Sequence, residues 1–103
     1  VALTKDFRET VQARIRGDRE FRRGLMGDAV EALLAGEAAL GREILRDFIN
    51  ATLGFPALAE KTGIHVKTLH QMFGPRGNPT ATNLFKIIAC LQEHEGVRLQ
   101  VVA

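Results

Sequence analysis

The chain has 103 residues, 46% of them hydrophobic and 25% charged, with a formal net charge of +2 and six Phe as its only aromatic side chains. That length and apolar content fit one folded domain and exclude a disordered tail. Its single cysteine, Cys90, excludes an internal disulfide and a thiolate-rich zinc site, and apolar runs such as "KIIACL" at residues 86–91 fall far short of the roughly 20 residues that cross a bilayer.

The pattern predicts helices almost throughout. Thr4 caps a first helix in which Phe7, Val11 and Ile15 recur every four residues until Gly17. Asp18 starts a second, striped by Phe21, Leu25, Ala29 and Leu33, widened by Met26, Val30 and Leu34, and stopped near Gly36. A third presents Leu40, Ile44 and Phe48 flanked by Leu45, Ile49 and Leu53, and Gly54 closes it. No linker, low-complexity tract or fixed-period repeat separates these elements, and Gly36 is the best candidate for a joint.

Beyond Gly54 the helices shorten. "PALAEKT", residues 56–62, has Pro56 in its first turn, where a missing N–H is harmless, and Gly63 just past its end, where positive φ is needed. Only Ile64 and His65 separate that glycine from "VKTLHQMF", residues 66–73, which is the spacing of a helix-turn-helix. On a helical wheel Val66, Leu69, Met72 and Phe73 fall within an arc of roughly 120°, leaving Lys67, Thr68, His70 and Gln71 opposite. After "GPRGNP", Thr80 caps a longer helix with Leu84, Ile87, Ile88 and Leu91 inward and Gly96 at its end. In "VRLQVVA", Val97, Leu99 and Val101 alternate with Arg98 and Gln100, which reads as a short strand; with no other strand in the chain, its partner is expected on another chain.

Charge is unevenly placed. Residues 1–60 carry nine basic and ten acidic side chains, whereas residues 61–92 hold Lys61, Lys67, Arg76 and Lys86 with no Asp or Glu. The whole positive excess therefore lies around the short helices, which favours an anionic partner.

These residues carry a resemblance. "LAEKTGIHVKTL", residues 58–69, resembles the helix-turn-helix of Xre-type, lambda-repressor-like regulators through Leu58, Ala59, Gly63, Ile64 and Leu69, and "NPT" with Leu84 and Ile87 is similar to that family's next loop and helix. More narrowly, "LTKDF", "RDFINATLGF" and "GNPTATNLF" make the chain similar to the small bacterial addiction-module antidotes, the antitoxins of toxin–antitoxin pairs. It differs from the Xre pattern in having Gly54, Phe55 and Pro56 where a polar cap and a DNA-touching Gln usually stand, and His65 at the cap usually filled by Ser or Thr.

The expected fold is thus all-α, a lambda-repressor-like helix-turn-helix bundle: an N-terminal helical extension over 1–36, a DNA-binding domain over 37–96 and a C-terminal strand over 97–103. Recognition helices set side chains against base edges while nearby cations, amides and hydroxyls hold phosphates. On that chemistry the candidate DNA-binding residues are Lys67, Thr68, His70 and Gln71 on the polar arc, with Gln71 suited to an adenine edge, Lys67 to a guanine edge or a phosphate and His70 to either, and Arg76, Asn78, Thr80 and Asn83 as candidate phosphate contacts. The single cysteine and an N-terminus that does not combine a charged head with an apolar run point to a cytoplasmic protein; it is expected to bind double-stranded operator DNA as a homodimer and repress its own operon, and the resemblance implies that it also neutralises a cognate toxin. A protein-interaction module with an architectural helix-turn-helix is the alternative. Catalysis is not expected: Cys90 and His94 are four apart but lack an orienting third group, and His65 and His70 have no third ligand for a metal. Nor is a cofactor or a membrane partner.

Overall fold

The computed structural model describes residues 5–103, and all regular secondary structure there is helical. The helices are α1 (Lys5–Gly17), α2 (Arg19–Leu34), α3 (Ala38–Ala51), α4 (Gly54–Thr62), α5 (Val66–Met72) and α6 (Ala81–Glu95). They group into two compact units, one up to Leu53 and one from Gly54 onward, so the joint in the packing falls at Gly54 and not at Gly36. Thr4, the expected cap of α1, lies outside the described residues. Among the described residues no helix is long and apolar enough to cross a membrane.

In the first unit α1, α2 and α3 pack on one another, with the broadest contact between α2 and α3. Asp18 caps α2 by accepting the Phe21 N–H at 3.0 Å. The Arg22 guanidinium donates to the carbonyls of Ile15 (3.0 Å) and Arg16 (2.6 Å), placing a cation where the α1 backbone leaves acceptors unmet. Gly36, at φ +82°, ends α2 with the Glu37 N–H donating back to the Ala32 carbonyl at 2.8 Å.

The predicted apolar stripes are only partly core, and the covered part is not always their centre: the flanking Met26, Leu45 and Ile49 are buried while Phe7 and Leu40 are not. Phe7 is 49% exposed, Leu34 68% and Leu40 45%, while Ile15, Met26, Ala29, Ala32, Leu45, Phe48 and Ile49 are buried. Helices α2 and α3 approach closely at Gly41, where a Cβ would stand 2.6 Å from Leu33 Cδ2 and 3.1 Å from the Ala29 carbonyl oxygen. Leu33 sits against the α3 backbone there, while Leu34 and Leu40 stay exposed.

In the second unit α4 packs against α5 and α6 around buried Phe55, Leu58, Leu69, Met72, Phe73, Ile87, Ile88 and Leu91. Gly63 has the expected positive φ, +75°, and ends α4. Thr62 is buried, and its hydroxyl donates to the Leu58 carbonyl (2.7 Å) while accepting the Ile64 N–H (3.3 Å), tying the last turn of α4 to the connection. His65 caps α5 through Nδ1, which accepts the Lys67 N–H at 3.1 Å. Thr80 caps α6 by accepting the Asn83 N–H at 3.2 Å, and Gly96 closes it at φ +71°.

Residues 97–103 form no strand. The Val97 N–H bonds the Gln92 carbonyl (3.0 Å) and the Leu99 N–H bonds Gln92 Oε1 (2.8 Å), after which the segment runs exposed. A strand needs a ladder partner, and the described residues contain none.

Candidate nucleic-acid interface

The two short helices create one face that is packed and one that is open. Leu69, Met72 and Phe73 are buried beneath α5, and Val66 is half-buried, whereas Lys67, Thr68, His70 and Gln71 are all exposed. The loop after α5 continues that polar surface. Lys67, His70, Gln71, Gly74, Pro75 and Arg76 line a single open groove of about 600 Å³. Thr68, Asn78, Thr80 and Asn83 are not part of its lining; Asn78 and Thr80 are exposed and Asn83 is half-buried. Thr80 spends its hydroxyl oxygen on the α6 cap, leaving its proton for an outside acceptor.

Three groups that the sequence reading did not assign shape this surface. Phe55, standing where the Xre pattern has a polar residue, is buried and packs its ring 4.6 Å from that of His70 and 5.7 Å from that of Phe73. It has no polar atom for a phosphate; it props the His70 imidazole from below. Gly74 is close to the end of α5, so that a Cβ there would lie 3.3 Å from the His70 carbonyl oxygen. Gly77 is tighter still: a Cβ would collide with the Met72 carbonyl oxygen and stand 2.5 Å from its carbon and 2.7 Å from the Gln71 oxygen. The loop is folded back onto the end of α5, and this holds Arg76 beside Gln71. Two glycines bracketing Pro75 and Arg76 were the available signal for a close backbone approach.

A second groove of about 570 Å³, between α4 and α6, is lined by Lys61, Thr62, Lys86, Ala89, Cys90, Glu93 and His94. Burial pushes the Cys90 thiol up from its ordinary value; Lys61 opposes this and Glu93 adds to it. That shift disfavours the thiolate that nucleophilic chemistry uses. Among the described residues no group of three or more His, Cys, Asp or Glu is placed to hold a metal ion. In the first unit Arg8, Val11, Gln12, Glu43, Arg46, Asp47 and Asn50 line a groove of about 380 Å³. There burial pushes the Asp47 carboxyl up, with Arg46 opposing, Glu43 adding and Arg8 opposing.

No protein-family model matches the chain, and neither the curated proteins nor the solved structures contain a significant match to it.

Proposed function

We propose that the second unit is a helix-turn-helix DNA-binding module with α5 as its recognition helix. The observation that carries this reading is the exposed surface formed by Lys67, Thr68, His70, Gln71 and Arg76, set on a buried apolar face in a stretch without carboxylates from residue 61 to 92. Such a surface suits the major groove: Gln71 matches an adenine edge, Lys67 a guanine edge or a phosphate, and Arg76 a phosphate. Asn78, Thr80 and Asn83 gather at the N-terminus of α6, where backbone amides and the helix dipole favour an anion. The resemblance of residues 58–69 to Xre-type regulators supports the same assignment.

The finer reading is an antitoxin that binds its own operator as a homodimer, represses its operon and captures a cognate toxin. It rests on the similarity of the chain to addiction-module antidotes. A seven-residue recognition helix covers one half-site, so a dimer is needed to place two about 34 Å apart.

Electrophoretic shift with DNA from upstream of its own gene tests the reading. Specific binding is expected to survive competitor DNA and to fall with salt as phosphate contacts are lost. Binding that is weak, indifferent to sequence and erased by modest salt would instead indicate an interaction module. The toxin assignment is checked by co-purification with the product of a neighbouring short reading frame.

A further inference from the structure

A line of rings leads from the core of the second unit to the open face of α5. Phe73 is buried at the end of α5, Phe55 on α4 is buried with its ring 5.7 Å from that of Phe73, and the ring of the exposed His70 lies 4.6 Å from that of Phe55, the planes tilted by 39°. A short side chain backed by a ring that is itself packed in the core has little rotational freedom left. Lys67, Gln71 and Arg76 line the same groove, but among the described residues no ring contact or side-chain hydrogen bond holds any of them. Among the polar side chains described there, His70 alone is positioned before a ligand arrives. Its imidazole carries at least one N–H in either protonation state, and residues 61–92 contain no carboxylate to accept it.

We propose that His70 reads a guanine edge in the major groove and that Phe55 positions it, so that an apolar residue of α4, itself touching no DNA, sets part of the sequence preference. The inference rests on the DNA-binding reading of α5 and gives that reading a specificity residue. A fixed ring suits a base edge better than a phosphate. Phosphate oxygens reward any nearby cation, which the long arms of Lys67 and Arg76 supply, whereas base readout rewards a donor held at one place and angle. Guanine is the match because its major-groove edge offers two acceptors, N7 and O6, and no donor. Adenine sets an amino donor beside N7, thymine crowds O4 with a methyl group, and cytosine presents a donor.

The free protein and a DNA titration test the two halves separately. The carbon-bound ring protons of His70 are expected upfield in the proton spectrum, shielded by the Phe55 ring. Phe55→Leu, which keeps an apolar side chain, is expected to return them to random-coil positions with helical circular dichroism unchanged. Unshifted protons in the wild type overturn the positioning. A duplex selected by the full chain from a random pool is then compared with copies carrying, at each guanine in turn, 7-deazaguanine, which lacks N7, or 6-thioguanine, whose sulfur replaces O6. At one guanine the wild type is expected to discriminate about tenfold against a substituted copy, and His70→Ala and Phe55→Leu each to lose that preference, with the double variant losing no more. Partial unfolding of Phe55→Leu would weaken both duplexes alike and leave their ratio unchanged, so the ratio reads positioning and not stability. The absence of such a guanine, or a preference retained in either single variant, overturns the proposal and leaves the DNA reading standing. A wild type that selects no sequence overturns the DNA reading and the base assignment with it, while the proton shifts still report the ring contact.

Discussion

The two units stabilise themselves in different ways. The first is three helices of 13, 16 and 14 residues whose order comes from long packed seams, and its charges are balanced, nine basic and nine acidic up to Leu53. The second has helices of 9, 7 and 15 residues, the shortest of which is far below what holds together on propensity alone. Its order comes from local devices at each junction: Gly63, Thr62, the His65 cap, the folded-back Gly77 and the Thr80 cap. Short, individually fastened elements leave more surface free of packing duty. It is on such surface that the polar residues of α5 stand.

Breaking the fasteners should therefore disturb the second unit far more than its burial suggests. Gly77→Ala carries the largest expected effect, a loss of about 3 kcal/mol or a displaced loop, because the added Cβ meets backbone that cannot rotate aside. Chemical denaturation together with operator affinity measures it; an unchanged midpoint and unchanged affinity would show that the loop does not depend on that approach. Next come the polar residues themselves. If α5 reads DNA as proposed, Gln71→Ala should cost about 2 kcal/mol on the preferred operator and relax selectivity at one base position, whereas Arg76→Ala should weaken all sequences alike and reduce the salt slope by about one unit. Titrations on matched and mismatched duplexes at several salt concentrations separate the two; identical behaviour would merge the roles.

Gly63→Val sharpens the comparison at the turn. At φ +75° a β-branched residue is strained although open space surrounds the Cβ, so a loss of more than about 1 kcal/mol is expected from backbone conformation alone. A melting temperature equal to wild type would place the constraint elsewhere.

The first unit should respond to charge more than to turn chemistry, and only weakly. Burial lifts the Asp47 carboxyl above its unfolded value, so its contribution to stability is present below the unfolded pKa and lost as pH rises through the folded one. Near neutral pH the charged carboxylate thus opposes folding. Asp47→Asn is expected to stabilise the fold there by under about 1 kcal/mol, because solvent screens a half-buried group, with a correspondingly small rise in melting temperature, and the gain should vanish in acid. A pH series of thermal melts checks it, and operator affinity should stay unchanged.

What could be read from the sequence was local, and what could not was tertiary. Asp18, Thr80, Gly63 and Gly96 act within one or two turns of themselves, and each behaves as its type and spacing predict. The exposed set on α5 follows from period alone, since Leu69, Met72 and Phe73 have to go inward. Leu34 and Leu40 defeated the same rule, because which part of a wide stripe is covered depends on where neighbouring helices lie, and period alone does not carry that. The Phe55–His70 contact was invisible for the same reason: it joins residues on different helices through space, and neither type announces the other. The C-terminal alternation is a pattern without a partner, which a single chain cannot complete.

The buried hydroxyl of Thr62 has a consequence for time as well as shape. By holding the Leu58 carbonyl and the Ile64 amide together, it denies the connection a way of opening while α4 stays closed. Helix and connection then belong to one cooperative opening unit, and the Ile64 amide should exchange with deuterium on the same clock as the last turn of α4, not at the quick pace of an exposed loop. A helix mounted on such a joint meets any partner with its direction already set, so that little ordering is left for the moment of contact.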